Sequence, residues 1–146
     1  MENDCKLSRQ VDLLTTIDGV GKRIAVEMVA VTGGFTRFEN ARQFCCFAGL
    51  APFKYESGTS VRSKAKTSKR ANQSIKALQP LAALGAATHM KTSEYRDRYE
   101  RKISEGKHVL CVLNTVRAKL VHRIFAVIKR DSAYVKEYKR ILEKCA

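Results

Sequence analysis

Leu14-Thr-Thr-Ile-Asp-Gly-Val-Gly-Lys-Arg-Ile-Ala25 lies between two segments of helical period. Upstream, Leu7, Val11 and Leu14 recur at the spacing of one helix face. Downstream, Ile24, Ala25, Met28 and Val29 form the apolar side of a helix running from Lys22 to Val31. Ile17-Asp-Gly-Val-Gly21 interrupts the period between them. Gly33 and Gly34 suit the end of the second helix, because glycine accepts a left-handed terminal conformation. Leu14, Ile17, Val20 and Ala25 are spaced to lock the two helices across the turn. Residues 7–34 therefore read as helix, tight turn, helix.

Outward from this turn the chain stays helical with one exception. Asn40 suits the cap of a short helix carrying Phe44, Phe47 and Ala48. From Gly49 to Thr67 the period is lost, and Gly, Pro, β-branched and basic residues alternate. This predicts a basic loop or a short β-hairpin near Glu56–Thr59. Thr67 or Ser68 can cap a helix bearing Ala71, Ile75, Leu78 and Ala82. Pro80 is expected to kink it, since its ring clashes with the carbonyl of Lys76. Thr92 or Ser93 can open a charged helix over Glu94 to Glu105, which Gly106 stops. Its interleaved charges predict a solvated face. Val109, Leu113, Val116, Leu120, Ile124 and Ile128 mark the core helix, and Ala133 to Cys145 adds an amphipathic turn or two. The predicted fold class is mainly α: a helix-hairpin-helix over 7–34, a basic Ser-Gly loop over 49–67 and a helical array over 68–146, in one domain.

The composition narrows the function. The chain has 146 residues, 45% of them hydrophobic, so it can supply a core. Its 28 Lys and Arg outnumber 14 Asp and Glu, giving a net charge of +14. Such an excess favours polyanions: DNA, RNA or an anionic surface. No apolar run approaches the ~20 residues of a membrane span. The start, Met-Glu-Asn-Asp-Cys-Lys, lacks the order of a signal peptide. A cytoplasmic protein without a membrane partner is expected. The five cysteines, Cys5, Cys45, Cys46, Cys111 and Cys145, are scattered. Adjacent Cys45 and Cys46 point roughly 100° apart on a helix, and His89, His108 and His122 have no ligand-like spacing. Reduced thiols and no metal in this chain are the expectation.

Two constellations suit phosphate chemistry. Gly19 and Gly21 flank Val20, so the backbone can turn tightly with its N–H groups exposed. Those donors and the helix start at Lys22 suit a phosphate oxygen, and Lys22 and Arg23 add charge. This resembles the helix-hairpin-helix motif of non-sequence-specific DNA binders. The bland alternative is a glycine turn inside a bundle. The second constellation is the loop. From Ser57 to Ser93 there is no Asp or Glu, while Arg62, Lys64, Lys66, Lys69, Arg70, Lys76 and Lys91 are all present. A purely solvated surface normally carries carboxylates to limit self-repulsion, so nucleic acid is the expected partner. Ser57 beside Gly58 is the sharpest candidate nucleophile, with Ser60 and Ser63 as competitors. Arg62, Lys64 or Arg70 would stabilise charge on the phosphoryl oxygens. On composition alone a plain turn is the favoured reading of the Ser-Gly pair.

Three blocks together carry a resemblance: Gly49-Leu-Ala-Pro52, then Ser57-Gly-Thr-Ser-Val-Arg62, then Ser68-Lys-Arg-Ala-Asn72. In this order, after a helix-hairpin-helix, they are similar to the C-terminal domain of the IS110/IS116/IS902 transposases. The resemblance extends over roughly Leu14 to Ala133. It implies a DNA recombinase in which the serine of the Ser-Gly pair, here Ser57, joins to DNA. It also implies a structured guide RNA as a second partner; a homo-oligomer is expected as well. Full-length members carry an N-terminal RuvC-like domain whose carboxylates bind Mg²⁺. The acids before the hairpin here, Glu2, Asp4 and Asp12, do not suffice for one. This chain alone is therefore expected to bind nucleic acid without transposing. Arg62, Lys64, Lys66, Lys69 and Arg70 would position the phosphate, and Gly19, Gly21, Lys22 and Arg23 would grip the backbone nearby. Two rivals stand beside this reading: a non-catalytic nucleic-acid-binding module, and an assembly domain built on the Val109–Ile128 helix.

Overall fold

The computed structural model describes the backbone of residues 2–50, 52–53, 56–57, 61–62, 66–67, 73–88 and 94–135, and the side-chain surroundings of 4–50, 80–88 and 94–135. Among them are six helices and four two-residue strands: α1 (Glu2–Thr15), α2 (Lys22–Thr32), α3 (Ala41–Phe47), β1 (Pro52–Phe53), β2 (Glu56–Ser57), β3 (Val61–Arg62), β4 (Lys66–Thr67), α4 (Gln73–Thr88), α5 (Glu94–Ser104) and α6 (Val109–Arg130). The fold is mainly α, as the hydrophobic periods predict.

Local chemistry sets most helix ends. Gly33 takes a left-handed conformation with φ of 59°, and the amides of Gly33 and Gly34 donate to the carbonyls of Ala30 and Val29. This reciprocal pair satisfies two carbonyls that α2 leaves open. Asn40 accepts from the Gln43 amide through Oδ1 at 2.9 Å and so caps α3. Gly106 closes α5 in the same way as Gly33 closes α2. α4 continues through Pro80, from Gln73 to Thr88.

The core gathers Leu14, Ile17, Val20, Ala25 and Met28 from the α1–α2 hairpin, Phe44 from α3, Ala82, Ala83 and Ala86 from α4, Tyr95 from α5, and the inner face of α6. The four apolar side chains expected to lock the hairpin are all buried. Burying a side chain of this size stabilises by roughly 1.5–3 kcal/mol. Phe38 meets Phe44 edge to face at 5.4 Å, and Phe125 of α6 meets Phe35 in the same way at 5.2 Å. These rings tie the residues around α3 to the last turns of α6.

Three expectations need correction. The buried face of α6 is Val112, Val116, Leu120, Val121, Ile124 and Val127. Val109 is 43% exposed, and Leu113 and Ile128 are only partly buried. Leu7, similarly, is exposed rather than part of a closed α1 face. In α6, Leu113 and Ile128 each lie one position off the buried stripe, beside Val112 and Val127, so the covered face is rotated from the one the spacing marks. The charged helix α5 is not simply a solvated face. Arg96–Glu100 and Lys102–Glu105 pairs do lie on its surface, but Tyr95 is fully buried. Beside it Glu94 accepts from Lys119 Nζ at 2.7 Å, from Arg123, and from the Tyr134 hydroxyl at 2.9 Å. The first turn of α5 is therefore docked on α6 and on the segment after it.

That segment also closes the molecule. Arg9 of α1 donates to both carboxylate oxygens of Asp131 at 3.1 and 2.8 Å, and the Tyr134 amide donates to Thr16 Oγ1 at 2.9 Å.

Candidate nucleic-acid interface

The turn between α1 and α2 separates two glycines into different roles. Gly19 has φ of 86°, and a Cβ placed on it would lie 2.5 Å from the Ala86 Cβ and 3.1 Å from the Ala82 carbonyl oxygen. Its missing side chain lets the turn pack against α4. Gly21 has nothing within 4 Å of the same position. It is the N-cap residue of α2 with extended backbone, and no side chain caps the helix there. Gly21, Lys22 and Arg23 are all exposed. The first amides of α2, with the positive end of its dipole, therefore face solvent with two cations beside them. Of the four hairpin residues predicted to contact a phosphate, three lie on this open end and Gly19 lies in the seam with α4.

The loop begins where α3 ends. The Leu50 amide donates to the Cys45 carbonyl at 2.8 Å, and Gly49 is left-handed. From there the chain forms two short antiparallel ladders, as the predicted hairpin requires. Pro52 pairs with Thr67 and Phe53 with Lys66; then Glu56 pairs with Arg62 and Ser57 with Val61. Ser57 thus occupies the last described pair before the tip, and Arg62 the register position next to it. Two residues separate the ladders on the outgoing arm and three on the returning arm, so the register moves by one. Among the described elements the four strands meet only one another, not the helices. Lys64, Lys69 and Arg70, and the competing Ser60 and Ser63, lie outside the described residues.

A residue that the sequence reading did not single out lies at the root of this loop. Asn114 of α6 donates through Nδ2 to the Leu50 carbonyl at 3.5 Å, and its Oδ1 accepts from Arg117 Nη1 at 3.3 Å. Burial pushes the Arg117 guanidinium down from the ordinary arginine value. The one sequence signal was a cation set among the apolar positions of a core helix, directly after the fully buried Val116.

No three His, Cys, Asp or Glu side chains among the described residues cluster in a way that could hold a metal ion. No helix among the described residues is long and apolar enough to cross a membrane.

The profile of the transposase IS116/IS110/IS902 family matches residues 11–100, which include both the hairpin turn and the Ser57 loop. The chain belongs to this family of insertion-sequence transposases. It is 24% identical over 133 residues to a pilin gene-inverting protein of Moraxella lacunata, covering 90% of this chain and 40% of that protein. It is 29% identical over 123 residues to the 43.6 kDa protein of insertion element IS110 from Streptomyces coelicolor, covering 84% and 29%. A 42 kDa protein of IS900 from Mycobacterium paratuberculosis is 28% identical over 136 residues, covering 92% and 33%. The chain thus spans about two-fifths or less of the length of these relatives.

Proposed function

We propose that this chain is the DNA-binding, serine-bearing part of an insertion-sequence transposase. The observation that carries the reading is the family match over residues 11–100, which takes in both phosphate-suited constellations. A relative named for inverting a pilin gene supports DNA rearrangement as the general activity.

In this reading the open start of α2, with Gly21, Lys22 and Arg23, holds a backbone phosphate away from the reacting one. Helix amides and cations together suit a phosphate, and neither reads base sequence. Ser57 is the nucleophile. Its Oγ forms a bond to phosphorus as the bond to the leaving deoxyribose oxygen breaks. That oxygen takes up a proton, and the serine proton passes to a base in the complete enzyme. Arg62, Lys64, Lys66, Lys69 and Arg70 balance the charge that builds on the phosphoryl oxygens. Gly58 leaves room for the phosphate beside the serine. A structured RNA and a second copy of the protein are proposed as the partners that choose and bring together the DNA sites.

The test is Ser57→Ala in a full-length protein carrying this domain, assayed for DNA strand joining and separately for DNA binding. Joining should disappear while binding persists. Persisting strand joining would leave the rival, a non-catalytic module built on the same hairpin, as the better account.

A further inference from the structure

We propose that Arg117 is a phosphate-binding residue at the foot of the Ser57 loop, holding a phosphodiester oxygen of the nucleic acid strand in the groove between Gly49 and α6. The inference rests on the nucleic-acid reading above and deepens it.

Four observations converge. The groove is lined by Gly49 from the loop root, Pro80 from α4, and Leu113, Asn114 and Arg117 from α6, with Arg117 the one charged side chain among its lining residues. The guanidinium donates to Asn114 Oδ1 at 3.3 Å. Its Nε is shielded from solvent and has no hydrogen-bond partner among the described residues. No ion pair among the described residues reaches it. A guanidinium carries five N–H donors and cannot shed its charge, so a half-buried one normally meets a carboxylate or several carbonyls. The contrast within α6 is direct. Lys119 and Arg123, two and six residues on, both meet Glu94. Among the described residues Arg117 alone of the three meets no anion, and it is the one placed beside the loop root.

The ligand chemistry follows from these facts. The site needs a compact anion with several acceptor oxygens that can meet a planar fork of donors, which a phosphodiester supplies. Asn114 adds geometric control. It holds the Leu50 carbonyl with one end and Arg117 with the other, so a phosphate on Arg117 is tied to the position of the loop root.

The experiment compares this chain with Arg117→Met, binding a short duplex DNA and, separately, a hairpin RNA across a salt series. Methionine fills the space without charge. An unpaired, desolvated cation costs stability, so the variant should melt at or above the wild-type temperature. Affinity should fall about tenfold, as for loss of a hydrogen bond to a charged group. The salt slope should become shallower by about 0.9 on duplex DNA or about 0.7 on single strands, one contact's share. The nucleic acid whose binding weakens identifies the source of the phosphate. A folded variant with wild-type affinity and slope on both overturns the inference. Should Arg117→Met not fold, phenylglyoxal footprinting of the wild-type chain decides instead. Protection of Arg117 by bound nucleic acid supports the site, and equal modification in free and bound protein overturns it. If the wild-type chain binds neither nucleic acid, the broader functional reading fails first.

Discussion

Gly19 and Gly21 are two residues apart, and their substitution should separate structure from binding. Gly19→Ala places a methyl 2.5 Å from the Ala86 Cβ on a backbone with positive φ. It should cost about 2–4 kcal/mol, seen as a lower midpoint in chemical denaturation. Gly21→Asp meets no such obstacle. It gives α2 the side-chain cap it lacks and should raise stability by about 0.5 kcal/mol. The new carboxylate also occupies the amides proposed for phosphate, so nucleic-acid affinity should drop severalfold. A stabilised variant with undiminished affinity would remove α2's start from the interface. The sequence marked both glycines for one role. Gly19's other neighbours, Ala82 and Ala86, lie more than sixty residues downstream, and no local pattern reports them. The thiols divide in the same manner. Cys45 is buried and its pKa is pushed up to about 11 by burial and by the neighbouring Cys46, whereas Cys5 and Cys111 are exposed. At pH 8 Cys45 is therefore held in its unreactive thiol form. A thiol reagent should modify Cys5 and Cys111 promptly and reach Cys45 only on unfolding.

At the scale of elements, helix ends were legible because capping is local. Asn40, Gly33 and Gly106 are each decided within four residues. Helix faces were less so. The spacing of α6 gave the right element, but which face the bundle covers depends on neighbours that a period does not encode. The docking of α5 was missed for a related reason. Its charge pattern reads as solvated, and only the fold brings Lys119, Arg123 and Tyr134 to Glu94. Burial raises the Glu94 pKa, but the hydrogen bonds from these three groups outweigh it and hold the carboxyl below its ordinary 4.5. A lowered folded pKa stabilises above the unfolded value and is lost as pH falls through the folded one. The stability contributed by this cluster should therefore be complete at neutral pH and fade below about pH 4.5. Glu94→Gln should lower stability at pH 7 and flatten the acid limb of a stability–pH curve. An unchanged acid limb would show that other carboxylates govern it.

For the whole molecule, the charge of +14 was the most direct guide to function, since it needs no fold to interpret. The candidate site was only half legible. The Ser57 loop and its basic run are continuous in sequence, so they could be read together. The proposed Arg117 contact joins residues 49–50 to 114–117, a link that exists only in the folded chain. Nucleic-acid binding by this chain should weaken steeply with salt, log affinity falling by about 0.9 per phosphate neutralised on duplex DNA. A flat salt dependence would mean that the excess charge does not meet phosphates.

The Arg9–Asp131 and Thr16–Tyr134 bonds join residues 122 and 118 positions apart. Contacts between α5 and α6, linked by a short turn, can form within microseconds of one another. The bonds that fasten α1 to the segment after α6 must wait until the residues between them have been brought together, because closing a long loop precedes any gain from its ends. The α1–α2 hairpin can therefore close early through its own short turn, while its fastening to the segment after α6 comes late.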